Sequence, residues 1–256
     1  MSVTGITTDA RLQRAYAWRD RIEDAICDEV REWEHGTILR AHRYPSYYRY
    51  NFVRIAGEPE LGVADLANVA DEALHGLEHR RLDFDRADAG EALRGELHAA
   101  GWRSMRTILM RHEGPLPRAA QVALEEVGYD EVRALRDRWH AEDFDIPQPE
   151  QFYAAAREVA LRHDARVLAV RGERGKPVGF AQLERSGGSA EIVQVYVLPD
   201  HRGAGIGTAI TTAAIHAAGE VEDLWIAADD EGRPQELYRR LGFEPLWATI
   251  EFLLLP

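Results

Sequence analysis

From Val63 to His79, apolar side chains fall at Leu66, Val69, Ala70, Ala73, Leu74 and Leu77. That spacing of i, i+3, i+4, i+7 and i+8 predicts a helix with one buried face. Residues 8–34 carry the same signal among many charges, with Leu12, Ala15 and Tyr16, then Ile22, Ala25 and Ile26. They predict one or two amphipathic helices that end at His35-Gly36. Residues 89–100 predict another helix, closed by Gly101 in the C′ position. Short apolar runs at 37–41, 51–55, 81–84 and 102–112 read as strands. The segment Glu113-Gly114-Pro115-Leu116-Pro117 breaks all regular structure and reads as a linker.

The second half starts with a strand at 121–127. Helices follow at 129–143, where Val132, Leu135 and Trp139 share a face, and at 150–163. Strands at 166–171 and 178–185 meet across a Gly172/Gly175 turn, and Gly187-Gly188-Ser189 leads into a third strand ending at Leu198. A helix at 208–218, a strand at 223–227, a helix at 235–241 and a strand at 247–255 complete the chain. The order β-α-α-β-β-β-loop-α-β-α-β predicts an α/β fold built on a mixed sheet.

The loop in that order is Arg202-Gly203-Ala204-Gly205-Ile206-Gly207, directly after a strand and Pro199. Glycines let the main chain approach a ligand closely, and a helix start offers unpaired N–H groups and a positive dipole end. A phosphate or pyrophosphate is the expected guest. No Lys-Ser/Thr follows, so the loop is not a Walker A motif. Its glycines run G-x-G-x-G, which differs from the dinucleotide fingerprint.

The spacing Arg202-x-x-Gly205-x-Gly207 resembles the pyrophosphate signature of the GNAT superfamily, the acyl-CoA-dependent N-acyltransferases. A second motif, Leu237-Tyr238-Arg239-Arg240-Leu241-Gly242-Phe243, is similar to that family's L-Y-x-x-x-G-F helix end. The resemblance covers about residues 120–256. It implies acetyl-CoA as co-substrate and no metal. It implies main-chain contacts to the pantetheine from Val195 and Val197. It implies pyrophosphate binding at Arg202, Gly203, Ala204, Gly205, Ile206, Gly207 and Thr208. Tyr238 is the implied proton donor to the leaving thiolate. Glu191 is the best carboxylate for the base, with a surface strand residue as its plain alternative. Gln194 stands where relatives often carry an acid, and a glutamine cannot take a proton. Asp229, Asp230 and Arg233 replace a CoA-touching asparagine and read equally well as a solvated turn with a helix cap. His140, Glu142, Asp143, Asp145 and Trp247 fall where such folds select their acceptor. The cluster Tyr44, Tyr47, Tyr48 and Tyr50 is a candidate lid, or plain packing.

The first half repeats part of this frame. Ile55 and Leu82 are separated by the same interval as Val197 and Leu224, and Gly101 answers Gly242. Residues 1–116 therefore read as a degenerate GNAT-like domain, and residues 117–256 as the acyl-CoA-binding catalytic domain. The loop of the first, residues 56–62, lacks the arginine and carries Glu58 and Glu60. Those carboxylates would repel a pyrophosphate.

Composition changes little. The chain has 256 residues and a formal net charge of −13. That charge argues against non-specific nucleic-acid binding. One cysteine, Cys27, excludes an internal disulfide framework and suits a reducing cytoplasm. No signal peptide or membrane span is legible. The expected protein is a cytoplasmic acetyltransferase for a small primary amine, monomeric or homodimeric, working by direct attack in a ternary complex. A non-catalytic acyl-CoA sensor or scaffold is the alternative. A tandem-domain enzyme that builds a thiol cofactor, a layout mycothiol synthases share, is a third, for which this chain is short.

Overall fold

The structure is a computed structural model, and it describes residues 10–119, 122–144, 149–230, 232 and 234–256. Helix α1 (Ala10–Asp24) is followed by a hairpin of β1 (Glu29–Trp33) and β2 (Gly36–Arg40). A 3-10 turn at Tyr48–Tyr50 leads into β3 (Phe52–Ile55), α2 (Val63–Ala73) and β4 (Arg80–Phe84). Two short helices, α3 (Ala87–Glu91) and α4 (Arg94–Ala99), precede β5 (Arg103–His112). Next come β6 (Glu125–Val127), α5 (Arg133–Phe144), α6 (Glu150–Arg162), β7 (Arg166–Arg171), β8 (Pro177–Ser186) and β9 (Ser189–Val197). The chain closes with α7 (Ile206–Ala218), β10 (Asp223–Asp229), α8 (Pro234–Arg240) and β11 (Phe243–Leu254). Among the described residues, no helix is long and apolar enough to cross a membrane.

The helix expected through residue 34 stops at Asp24, and Glu29–Trp33 is a strand instead. The reason is the turn that follows. Gly36 has φ +151°, and a Cβ there would lie 2.2 Å from the Arg54 carbonyl oxygen. Only glycine permits that approach, and it folds β1 back onto β2. Because β1 is an edge strand with exposed Val30, Arg31 and Glu32, its charges mimic a solvated helix.

Among the described residues, the strands form one mixed sheet of 11 strands in the order β1-β2-β3-β4-β11-β5-β10-β9-β8-β7-β6. Two pairs in it are parallel: β3 with β4 across α2, and β9 with β10 across α7. Each half thus holds one parallel β–α–β unit. The two ladders pair Leu82 with Val53 and Leu224 with Ala190. Ile55 therefore corresponds to Ile192, not to Val197 as the equal sequence intervals suggest. The second unit has extra strand beyond its paired part.

The centre of the sheet is an exchange. β5, the last strand of the first half, lies between β11 and β10, and β11, the last strand of the second half, lies between β4 and β5. Met110 of β5 is buried among Ile192, Ile226 and Phe243 of the second half. Ile250 and Phe252 of β11 are buried among Val53, Leu82 and Phe84 of the first. Side chains alternate across the strands. One face carries both of these apolar cores. The opposite face is polar along β3, β4, β11, β5 and β9, and α1, α5, α6 and residues 44–50 surround it.

The exchange predicts coupled unfolding. Phe252→Ala removes a fully buried ring from the first half's core and is expected to cost about 3–5 kcal/mol. In urea melts, probes in both halves should still report one transition, shifted to lower denaturant. A separate early transition confined to residues 10–112 would contradict this.

Candidate active site

The site begins where β9 and β10 part. Their ladder runs from Ser189/Asp223 to Ile192/Ile226 and then ends, although β9 continues to Val197 and β10 to Asp229. A register shift between Gln182 and Leu183 of β8 leaves Val193 as an extra residue in β9 at that point. From Val193 on, β9 has main-chain groups facing a gap instead of a neighbouring strand. The first half has no such gap. β3 pairs with β4 to its last residue, and the Asp85 N–H donates to the Ile55 carbonyl at 2.9 Å.

The glycine loop follows β9. Gly203 and Gly205 have φ of +82° and +77°, and nothing lies within 4 Å of where a Cβ would stand on either. The turn requires glycine, and the space over it is open. Gly205 caps α7. The first helical bond runs from the Ala209 N–H to the Gly205 carbonyl at 3.0 Å. The N–H groups of Ile206, Gly207 and Thr208 are thus left for another acceptor. This open cradle fits a pyrophosphate. Arg202 is engaged elsewhere. Its Nε donates to the Val197 carbonyl at 2.9 Å and its Nη2 to Glu142 Oε2 at 2.8 Å. Glu142 also accepts from the Tyr196 hydroxyl at 2.8 Å. Burial and then that bond push the phenol up to about 12. Arg202 and Glu142, placed by sequence near the phosphate and the acceptor, together tie the loop to α5.

The gap opens into a cavity of about 580 Å³ on the polar face of the sheet. Glu191, Val193, Gln194 and Val195 of β9 line it, with Ala227, Ala228, Asp229 and Tyr238. Val197 does not. Its side chain is in the apolar core. The first half supplies much of the remaining wall, from Trp18 and Arg19 of α1, Tyr47 to Tyr50, Arg54 and Arg81.

Tyr238 is buried beside Phe243 and has no hydrogen-bond partner among the described residues, and burial raises its pKa. It is a neutral phenol with a free hydroxyl at the cavity. Glu191 is buried, not a surface strand residue. Its Oε2 accepts from Trp18 Nε1 at 2.7 Å. Burial raises its pKa, and Arg49 is the charge that acts most to lower it again. Gln194 is held by Arg136, whose Nη2 also donates to Gln182 at 2.7 Å. Gln182 in turn donates to Glu184 at 2.6 Å, and Glu184 meets His163 Nδ1 at 3.1 Å. A neutral glutamine at 194 thus belongs to a buried polar chain.

Asp230 accepts from Arg106 of β5 at 2.6 Å, a bond across the exchanged strand. Pro234 opens α8, one residue before the helix start expected from sequence, as its fixed φ favours. His140 and Trp247 line the cavity. Tyr47, Tyr48 and Tyr50 form part of its wall, while Tyr44 is buried beside them. Arg233, Asp145 and the side chain of Asp143 lie outside the described residues. Trp18, Arg49 and Arg136 are among the wall residues that sequence reasoning missed. Each meets the site from a distant part of the chain, with no local motif to mark it.

The first half's counterpart of the glycine loop is differently built. A cavity of about 390 Å³ there is lined by Glu58, Glu60, Gly62 and Asp88 among others. Arg86 spans Glu58 and Asp88 at 2.6 Å each. Asp65 takes the Gly62 N–H at 3.2 Å, at the start of α2. Among the described residues, no three His, Cys, Asp or Glu side chains gather as a metal site.

Residues 163–245 match the acetyltransferase (GNAT) domain family. The chain is 41% identical over 81 residues to a protein from Methanocaldococcus jannaschii named an uncharacterized N-acetyltransferase, covering 27% of this chain and 35% of that one. It is 33% identical over 122 residues to a mycothiol acetyltransferase of Clavibacter michiganensis, covering 46% of this chain and 39% of that one. The chain thus spans well under half the length of these curated relatives. A GCN5-related N-acetyltransferase from Kribbella flavida superposes with a TM-score of 0.55 at 21% identity, over 94% of this chain and 93% of that one. A conserved protein of unknown function from Staphylococcus epidermidis gives a TM-score of 0.64 at 18% identity, over 89% and 94%. At those identities the likeness is one of fold. The match to the acetyltransferase (GNAT) domain family thus lies in the C-terminal region of this chain.

Proposed function

We propose that this protein is a cytoplasmic N-acetyltransferase that moves an acetyl group from acetyl-CoA to the primary amine of a small molecule. The observation that carries the reading is one continuous path. It runs from the open loop at Gly203–Thr208, along the unpaired edge of β9, to a cavity holding Glu191 and a free Tyr238 hydroxyl. The loop would hold the pyrophosphate, with the N–H groups of Ile206, Gly207 and Thr208 as donors. Main-chain groups of Val195 and Val197 would hold the pantetheine arm. Acetyl-CoA supplies the activated carbonyl.

The amine nitrogen forms the new C–N bond as the C–S bond breaks. Glu191 takes the proton that the amine sheds, directly or through water, and Tyr238 gives a proton to the departing sulfur. Burial raises the pKa of both groups: it makes Glu191 a stronger base and keeps Tyr238 a neutral, if weaker, acid until the thiolate departs. The counterpart loop at 56–62 carries carboxylates, and Asp65 takes the Gly62 N–H at its helix start, so the reading has one co-substrate site.

Three outcomes are expected. Acetyl-CoA at about 100 times its Kd should stabilise the protein by about 2.7 kcal/mol. A thermal melt should show the shift in wild type and in Gly57→Glu, but not in Gly205→Glu. Gly57 and Gly205 have similar φ, +69° and +77°, so backbone strain alone would affect both variants alike. A shift retained in Gly205→Glu would sink the loop assignment.

Tyr238→Phe should lower kcat by about 100-fold in a free-thiol release assay with a panel of amines. No turnover with any amine, together with a retained acetyl-CoA shift, would favour a sensor or scaffold.

The pH profile should follow Glu191. A base works deprotonated, so kcat/KM should fall as pH drops through the raised pKa of Glu191. That limb lies above the usual carboxylate value of about 4.3. Glu191→Gln should remove the limb and lower kcat/KM by about 100-fold or more. An unchanged limb in Glu191→Gln would assign the base elsewhere.

A further inference from the structure

The charges on the cavity wall do not all cancel in pairs. Three of its arginines are matched to carboxylates. Arg19 meets Asp85 at 2.7 Å, and Arg54 meets Glu23 and, at 3.6 Å, Asp85. Arg81 meets Asp83 at 2.7 Å and Glu251 at 2.6 Å. Arg136 is enclosed by neutral groups. Its Nη atoms donate to Gln194 and Gln182, and it lies over the rings of Tyr129 and Phe180 at 3.9 and 4.8 Å.

Arg49, like Arg136, has no carboxylate within 4.0 Å among the described residues, but no pair of side-chain amides takes its donors. Its neighbours are the Tyr47 hydroxyl and the Tyr50 ring, 5.8 Å from its guanidinium carbon. On the same wall, among the described residues, Glu191 meets no cation at that distance and takes one side-chain hydrogen bond, from the Trp18 indole. A partly buried guanidinium and a buried carboxylate therefore share one small chamber without touching. Leaving both so is costly unless a ligand completes them. The complementary ligand carries the opposite charge at each end.

We propose that the acceptor is an amino acid-like zwitterion, whose carboxylate binds the Arg49 guanidinium while its amine faces Glu191. This rests on the acetyltransferase reading. A single planar guanidinium suits a carboxylate, which it can bind in a two-pronged fashion. A phosphate dianion would bring a second charge close to Glu191 and Glu251, while Arg136, the other wall arginine without a carboxylate, already spends its Nη donors on Gln194 and Gln182. The chamber's size suits a small acid and not a peptide chain. The first half of the chain thereby gains a role: it brings the residue that selects the acceptor.

The test is free-thiol release from acetyl-CoA with matched acceptors. The panel holds α-, β- and γ-amino acids, their carboxamides, the corresponding decarboxylated amines, and O-phosphoethanolamine. At least one amino acid should exceed its carboxamide and its decarboxylated amine by about 10- to 100-fold in kcat/KM, the worth of a charge-assisted hydrogen bond. Arg49→Met should collapse that ratio to near one, mainly through KM, and Arg49→Lys should restore part of it. The acetyl-CoA-induced thermal shift in each variant reports that the fold and the co-substrate site remain.

Equal rates for acids and carboxamides in wild type would overturn the proposal. So would loss of both rates alike in Arg49→Met, or O-phosphoethanolamine as the best acceptor. Thiol release from simple amines alone would overturn it while leaving the acetyltransferase reading intact. A thermal shift with no thiol release from any member would overturn it as well. No thermal shift and no thiol release would remove the acetyltransferase reading and this proposal together.

Discussion

The sheet is continuous because its two central strands are exchanged. β11 of the second half completes the first, and β5 of the first half completes the second. Each exchanged strand delivers apolar side chains to a core made by the other half, Met110 in one direction and Ile250 with Phe252 in the other. Neither half could withdraw without opening the other's core. The same exchange fixes the polar face. It sets Thr107 of β5 and Thr249 and Glu251 of β11 into one floor with Glu191 of β9 and Arg81 of β4. A cavity lined by both halves follows from that geometry.

Within this frame the two β–α–β units have diverged in a physically coherent way. In one, the parallel strands separate, the loop opens with two glycines at positive φ, and the helix start keeps its donors free. In the other, the strands stay paired to the end, Asp65 occupies the helix start, and Arg86 is held between two carboxylates. An anion is welcomed at the first and opposed at the second. The diverged half contributes instead the roof and wall of the chamber, from Trp18, Arg49 and the tyrosines around it.

Much of this was legible in the sequence, and what was not has identifiable causes. The helical periodicity at 63–79, the glycine loop and Tyr238 before Gly242 are local signals, and the structure has a helix at Val63–Ala73, a glycine turn at the start of α7 and Tyr238 at the cavity. The strand at Glu29–Trp33 was hidden because an exposed edge strand and a solvated helix tolerate the same charges. Equal intervals aligned Ile55 with Val197. Strand pairing, which sequence does not display, aligns it with Ile192. The exchange of β5 and β11 was invisible, since a strand with one apolar face reads alike in either half. Trp18, Arg49 and Arg136 reach the cavity through tertiary contacts alone.

The central claim is an asymmetry: one repeat holds the co-substrate and the other shapes the acceptor chamber. Amide hydrogen exchange with and without saturating acetyl-CoA tests it most directly. The account predicts slowed exchange at residues 203–208 and 195–197, with residues 57–62 unchanged. Equal protection of both loops, or protection of 57–62 alone, would contradict it.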